Sequence, residues 1–353
     1  MQALFCVFMY LDVFSLARAA QVCRTWNRLV QMPSLWRRVS LRNAIVSSKC
    51  LNHIAKYCTE LSDFSLHGLR GKTRRREEDV AEYLRRTRGS LEEGLEAVMK
   101  VAGGSLKKLQ VVDCGNLLTD RCLWLASCYS RNIIDVTYIS DLDPVGSEVI
   151  WSLGAGCRQV SRLIIPPMFP NQNPHKFTNH CAFNIARCWP DLHTLSIGGV
   201  DVNSKGLTAI GNGRNEVVIG YLTYLLIRTA HFCGKLQRLE LDHMCEITEE
   251  VAMAMCKAGL KGLRVLHLTF TPVTPKALLH FTSACPYLDD ITVRVGISDY
   301  YEDTENPQHR EEFATIISKL RKLQHRPGFE QKLRLNVDYG AQKLTMPAPL
   351  TRR

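Results

Sequence analysis

The sequence lacks the features that mark structural zinc sites, membrane spans, nucleophile elbows and phosphate loops. None of its 14 cysteines forms a Cys-x-x-Cys pair. Structural zinc sites draw on such close pairs because two ligands must converge on one ion, so no metal is expected. No apolar run reaches the roughly 18 to 20 residues that span a bilayer. The first residues also show no basic stretch followed by a cleavable apolar segment. The expectation is an intracellular protein, cytoplasmic with access to the nucleus, and in that reducing setting a disulfide framework is not expected. No Gly-x-Ser-x-Gly elbow occurs, and Gly211-x-Gly213 is followed by neither Gly-Lys-Ser nor a third glycine. His175 and His180 fall in a stretch containing Pro166, Pro167, Pro170 and Pro174, which reads as loop rather than metal-binding helix. No catalytic residue and no cofactor is therefore assigned.

Charge excludes less. The net charge of +11 favours acidic partners. Its densest patch, residues 70–88, is mixed, with eight Arg or Lys against Glu77, Glu78, Asp79 and Glu82. That pattern reads as a solvated loop or helix. It lacks the interleaved aromatics that stack bases, so nucleic acid is not an expected partner.

What the sequence has is a repeat. The pattern Leu-x-x-Leu-x-Leu appears as Leu61, Phe64, Leu66; Leu106, Leu109, Val111; Ile133, Val136, Tyr138; and Val160, Leu163, Ile165. It continues as Leu192, Leu195, Ile197; Leu236, Leu239, Leu241; Leu263, Leu266, Leu268; and Leu288, Ile291, Val293. Start-to-start spacings are 45, 27, 27, 32, 44, 27 and 25 residues. A leucine-rich repeat takes about 20 to 29, so three intervals carry insertions. Each strand signature leads through a turn such as Leu118-Thr119-Asp120, Ile247-Thr248-Glu249 or Val273-Thr274-Pro275 into apolar residues at helical spacing. Cys58, Cys157, Cys233 and Cys285 stand three residues before a strand's first apolar position, Cys188 four before, and Cys114 three after Val111. Thiols at such fixed positions read as small buried hydrophobes.

Stacked units of this kind share one core and line a concave parallel sheet, the usual binding surface of a solenoid. The fold class is therefore α/β, a right-handed leucine-rich-repeat solenoid shaped as a horseshoe. Side chains alternate along a strand, so the residues between core positions point into the arc. The primary candidates for holding a protein partner are Lys108, Gln110, Arg162, Arg238, Glu240, Asp242, His267 and Arg294. Asp135, Thr137, Thr194, Ser196, Thr269, Asp290 and Thr292 share the same phase.

Residues 1–42 do not follow the repeat. Leu4, Val7, Phe8 and Leu11 fall on one helical face and Leu16, Ala19, Ala20 and Cys23 on another, with Asp12 and Ser15 at capping positions between them. Trp26, Leu29, Leu35 and Trp36 add apolar bulk to a unit too small to be stable without a neighbour. The ordered set Val7-Phe8-x-Tyr10-Leu11-Asp12, Leu16, Ala20-x-Val22-Cys23-Arg24-x-Trp26-Asn27-x-Leu29 and Pro33-Ser34-Leu35-Trp36-Arg37 resembles the F-box. With the cysteine-containing repeats behind it, the chain resembles the F-box/leucine-rich-repeat family of substrate-recognition subunits of SCF-type ubiquitin ligases. Residues 236–329 are similar to an F-box-only member of that group.

The resemblance implies an all-α F-box module over 1–42 and repeats over 43–325, with insertions near 70–93, 166–177 and 211–228. It leaves a cap and tail over 326–353. It implies docking on a Skp adaptor, and through it on a cullin, by Leu4, Val7, Phe8, Leu11, Leu16, Val22, Trp26 and Trp36, while the repeats hold an unidentified protein substrate. The chain would itself carry out no bond chemistry. A repeat scaffold without ligase linkage is the alternative. The F-box pattern opens with a Leu-Pro upstream of the residue aligned with Met1, and the expectation is that docking is weakened without it. The apolar run 217–227 lies in the longest interval but one and is expected to be an insertion.

Overall fold

The computed structural model describes residues 2–72, 78–140, 142–166, 176–199, 201–212, 235–257 and 260–338. Ten strands form one parallel sheet in chain order: β1 (Arg38–Arg42), β2 (Asp63–His67), β3 (Lys108–Val112), β4 (Asp135–Ile139), β5 (Arg162–Ile164), β6 (Thr194–Gly198), β7 (Arg238–Asp242), β8 (Val265–Thr269), β9 (Asp290–Gly296) and β10 (Leu333–Asp338). An unbroken order of this kind is what repetition of one strand-turn-helix unit produces. Neighbouring strands sit about 4.8 Å apart and packed helices about 8 to 10 Å apart. The sheet must therefore take the shorter, inner side of the arc.

The eight repeat signatures supply β2 to β9, and their apolar positions are buried throughout. The pairing keeps those positions in register, with Phe64 beside Leu109, Leu109 beside Val136, and Leu239 beside Leu266. Helices begin where the turns were expected. Thr248 and Thr274 cap the helices Glu249–Cys256 and Pro275–Ala284, each hydroxyl accepting the amide three residues on, from Val251 and Ala277, with Pro275 at the first helical position. Cys58, Cys157 and Cys285 are buried and Cys188 is half-buried; Cys233 lies outside the described residues. Burial pushes the Cys58 and Cys157 thiols up to about 12, with Cys128 adding to the shift at Cys157. Two glycines set the helix spacing. A Cβ on Gly103 would stand 2.0 Å from the Tyr129 carbonyl oxygen, and one on Gly156 would stand 2.2 Å from that of Ser127.

Three readings of the sequence are corrected. The sheet begins at Arg38 and reaches Asp338, so it overruns the 43–325 span at both ends. Trp36, Val39 and Leu41 complete a repeat signature hidden inside the module, whereas β10 was obscured because Glu330 stands where the first apolar residue belongs. The patch at 70–88 takes the helical alternative over residues 80–87, mostly exposed, but Glu78 departs from the solvated reading, being buried and bonded to Arg86 at 2.6 Å. Ser15 lies inside a helix, and Asp12 alone caps it, accepting the Ser15 amide at 2.7 Å. Most of the 166–177 insertion, all of 213–228 and His175 lie outside the described residues.

Candidate functional site

The amino-terminal module consists of helices Gln2–Phe8, Val13–Ala19 and Arg24–Val30 and a short 3-10 turn, Pro33–Trp36. Phe8 and Leu16 are 2 % exposed and Trp36 is 3 % exposed. The Trp36 indole N–H donates to the Val30 carbonyl at 2.6 Å, and its ring stacks on Tyr57 at 5.3 Å, beyond the first strand. That contact fastens the module to the first repeat. Trp26 meets Phe8 edge-on at 5.2 Å.

Burial thus divides the eight residues read as one adaptor surface. Phe8, Leu16 and Trp36 are core and cannot meet a partner without unfolding, because each faces its own neighbours. Leu4, Leu11 and Trp26 are partly buried against that core. Val7 and Val22 are 59 % and 63 % exposed. They have company that sequence reasoning did not select. Met9, Tyr10, Phe14 and Met32 are also exposed, Tyr10 at 91 %. Of the sixteen large hydrophobic residues exposed among those described, six fall within the first 32 positions. Helical periodicity alone could not find them, because Gln2–Phe8 is too short for one apolar face and ends before Met9 and Tyr10.

On the concave sheet, the candidates lie in one phase as expected. Lys108, Gln110, Arg238, Glu240, Asp242 and His267 are partly exposed, and Arg162 and Arg294 are exposed. Thr137 and Ser196 are exceptions: they share the phase but are buried beneath longer neighbours. Lys108 and Arg162 both reach Asp135, at 3.4 and 3.6 Å. Further along, Arg238 Nε donates to Glu240 Oε1 at 2.7 Å, His267 Nδ1 lies 3.6 Å from the same carboxylate oxygen, and His267 Nε2 lies 3.5 Å from Asp290. The partnership with His267, followed by that with Arg238, holds the Glu240 carboxyl down at about 2. Glu240 in turn raises the His267 imidazole, against burial and against the Arg238 guanidinium 3.4 Å from Nδ1. His67 behaves in the opposite way: burial lowers it, and Arg42 and Lys108 lower it further. The two ends of the face therefore present different fields.

One feature of this face has no sequence signal. The residues directly after β7 and β8, His243 and Phe270, adopt φ of 49° and 46°, a left-handed conformation that bulky side chains rarely take. Their rings lie 4.7 Å apart, and the Arg294 guanidinium covers Phe270 at 4.8 Å. The equivalent positions after β1 and β3 are Asn43 and Asp113, which tolerate this backbone more easily. Among the described residues, no group of three or more His, Cys, Asp or Glu could hold a metal, and no helix is long and apolar enough to cross a membrane.

The family model and the sequence relatives agree with this anatomy. The F-box-like family model matches residues 2–42. F-box only protein 41 of Homo sapiens is 46 % identical over 338 residues, covering 96 % of this chain and 36 % of the relative, and the protein of the same name from Mus musculus matches equally. The chain thus spans about a third of the length of the curated relatives it matches. A chain of the yeast Rad7 and Elc1 complex superposes with a TM-score of 0.43 at 14 % identity, covering 86 % of this chain and 69 % of that one. This chain thus carries an F-box-like segment at residues 2–42 ahead of a leucine-rich-repeat fold, and almost its whole length is similar to part of F-box only protein 41.

Proposed function

We propose that this chain is a substrate-recognition subunit of an SCF-type ubiquitin ligase, docking on a Skp adaptor through its amino-terminal module and holding a protein substrate on its concave sheet. The observation that carries the reading is the exposure of six large apolar side chains within one small module: Val7, Met9, Tyr10, Phe14, Val22 and Met32. Leaving six large apolar side chains in water on so small a unit is unfavourable, and a partner that covers them recovers roughly 1.5 to 3 kcal/mol for each one fully buried. Helix-in-groove recognition rests on a few such anchors. In this role the chain contributes proximity and no bond chemistry. Held on one scaffold, a substrate lysine meets the charged conjugating enzyme at a raised effective concentration. Cytoplasm and nucleus, where such ligases act, are the compartments that suit this role.

The test is calorimetric titration of the chain with purified Skp adaptor, repeated with Val7→Asp combined with Val22→Asp. Binding by the chain and its loss in the double variant, with the melting temperature held, supports the reading. If the folded chain fails to bind, the ligase assignment falls and the repeat-scaffold reading replaces it.

A further inference from the structure

A groove of about 770 Å³ opens on the helical side of the arc, opposite the sheet, between the helices Arg121–Tyr129, Ser147–Gly156 and Asn179–Cys188. Two tryptophans line it, Trp124 at 44 % and Trp151 at 61 % exposure, whereas Trp36 and Trp189 are buried. An indole left in water within a concave site marks an interaction surface, since its large apolar face is otherwise best buried.

The chemistry of the groove is visible in its own contacts. The Arg121 guanidinium lies over the Trp124 ring at 5.9 Å and is tethered from behind by Glu92 at 3.7 Å. Asp120 is already neutralised by Lys176 at 2.9 Å. What remains is Glu148, an exposed lining carboxylate with no ionic or hydrogen-bonding partner among the described residues, one helical turn before Trp151. Positions three apart share a helix face, so a bare carboxylate and a bare indole stand side by side.

We infer that this groove is a second docking site, which takes an arginine-bearing segment of a partner protein. A guanidinium stacked on Trp151 gains from the ring quadrupole, and its N–H groups match the Glu148 carboxylate, repeating the arrangement that Arg121 makes on Trp124. A lysine ammonium suits the site less well, because it is compact, more strongly hydrated and cannot stack. The charge complementarity is local: the chain carries +11 overall, so a basic segment is drawn by Glu148 and not by the protein as a whole. The inference does not depend on the ligase reading, since the groove and the sheet lie on opposite sides of each repeat.

The experiment is titration of the full chain with the peptide Gly-Arg-Gly-Arg-Gly and with its lysine counterpart. Saturable binding of the arginine peptide is expected, with weaker binding of the lysine peptide. Trp151→Ala and Glu148→Gln should each weaken the arginine peptide by about fivefold, the scale of an exposed cation–π contact. Lys319→Ala, at an exposed position of the helix Pro307–Gln324, should leave peptide binding unchanged. Both groove positions are exposed, so unchanged melting temperatures certify folding, and Trp151→Phe should keep part of the affinity. Equal binding of the two peptides, full affinity in the variants, or no saturable binding overturns the inference. So does self-association abolished by Trp151→Ala in a chain that ignores the peptide, which would make a second copy the occupant.

Discussion

The amino-terminal module and the repeat arc treat apolar side chains differently. In the arc, Leu109, Leu239 and Leu266 have no exposed surface, whereas none of the module's core residues is so completely buried and six of its large apolar side chains face solvent. The cause is the number of neighbours. A central repeat is covered on both sides by units of its own kind. The module has the first repeat on one side only, joined to it through Trp36 and Tyr57. The arc thus buries its core leucines fully, whereas the module leaves several large apolar side chains in solvent.

Trp36→Ala should strike the comparison hardest. Truncating a buried aromatic costs about 3 to 5 kcal/mol, and here it also removes the fastening between the regions. The expected result is proteolytic release of the module from an arc that still melts cooperatively; an arc that unfolds with it would show one unit and not two. Leu239→Ala or Leu266→Ala should cost about 2 to 5 kcal/mol and loosen adjoining repeats, read as a lowered denaturation midpoint with faster amide exchange in β7 to β9. Replacing Val7 and Val22 with Asp should move stability by no more than about 0.5 kcal/mol, the range for surface substitutions, while adaptor binding is lost. A large drop in stability would mean that these two side chains belong to the core.

The smallest effect distinguishes the two ends of the concave face. The His267 imidazole is raised in the folded chain chiefly by Glu240. Its contribution to stability is therefore complete below its unfolded value, near 6.5, and is lost as pH rises through the higher folded value. The denaturation midpoint should fall over that interval, and His267→Gln should flatten the fall. His67, lowered in the folded chain, has the opposite sign: it resists folding at low pH, and His67→Gln should raise the midpoint there. Identical pH profiles for both variants would remove the contrast.

The arc was legible because each repeat states its core three times in six residues, and Leu236, Leu239 and Leu241 need only that spacing to be placed. The alternation of a strand then placed Arg238 and His267 on the open face. The module was less legible. Its motif marked the segment that the F-box-like family model matches but could not say which way each side chain points. Trp36 belongs at once to the F-box pattern and to the first apolar position of a repeat, and it is buried. Phe270, Arg294 and His243 meet only because of a backbone turn that no residue type announces. Trp124 and Trp151 are 27 residues apart in sequence, and only the stacking of adjacent helices brings them to one groove.

The central claim is that the two regions bind separately, the module to the adaptor and the sheet to the substrate. It is tested most directly by capturing partners from one lysate on the chain, on Val7→Asp with Val22→Asp, and on Arg238→Ala with Asp242→Ala, quantifying the Skp adaptor, the cullin and all other proteins by mass spectrometry. The account predicts that the module variant loses Skp and cullin together while keeping a set of other partners, and that the sheet variant loses those partners while keeping Skp and cullin. Loss of the same proteins from both variants, with both folded, would contradict it.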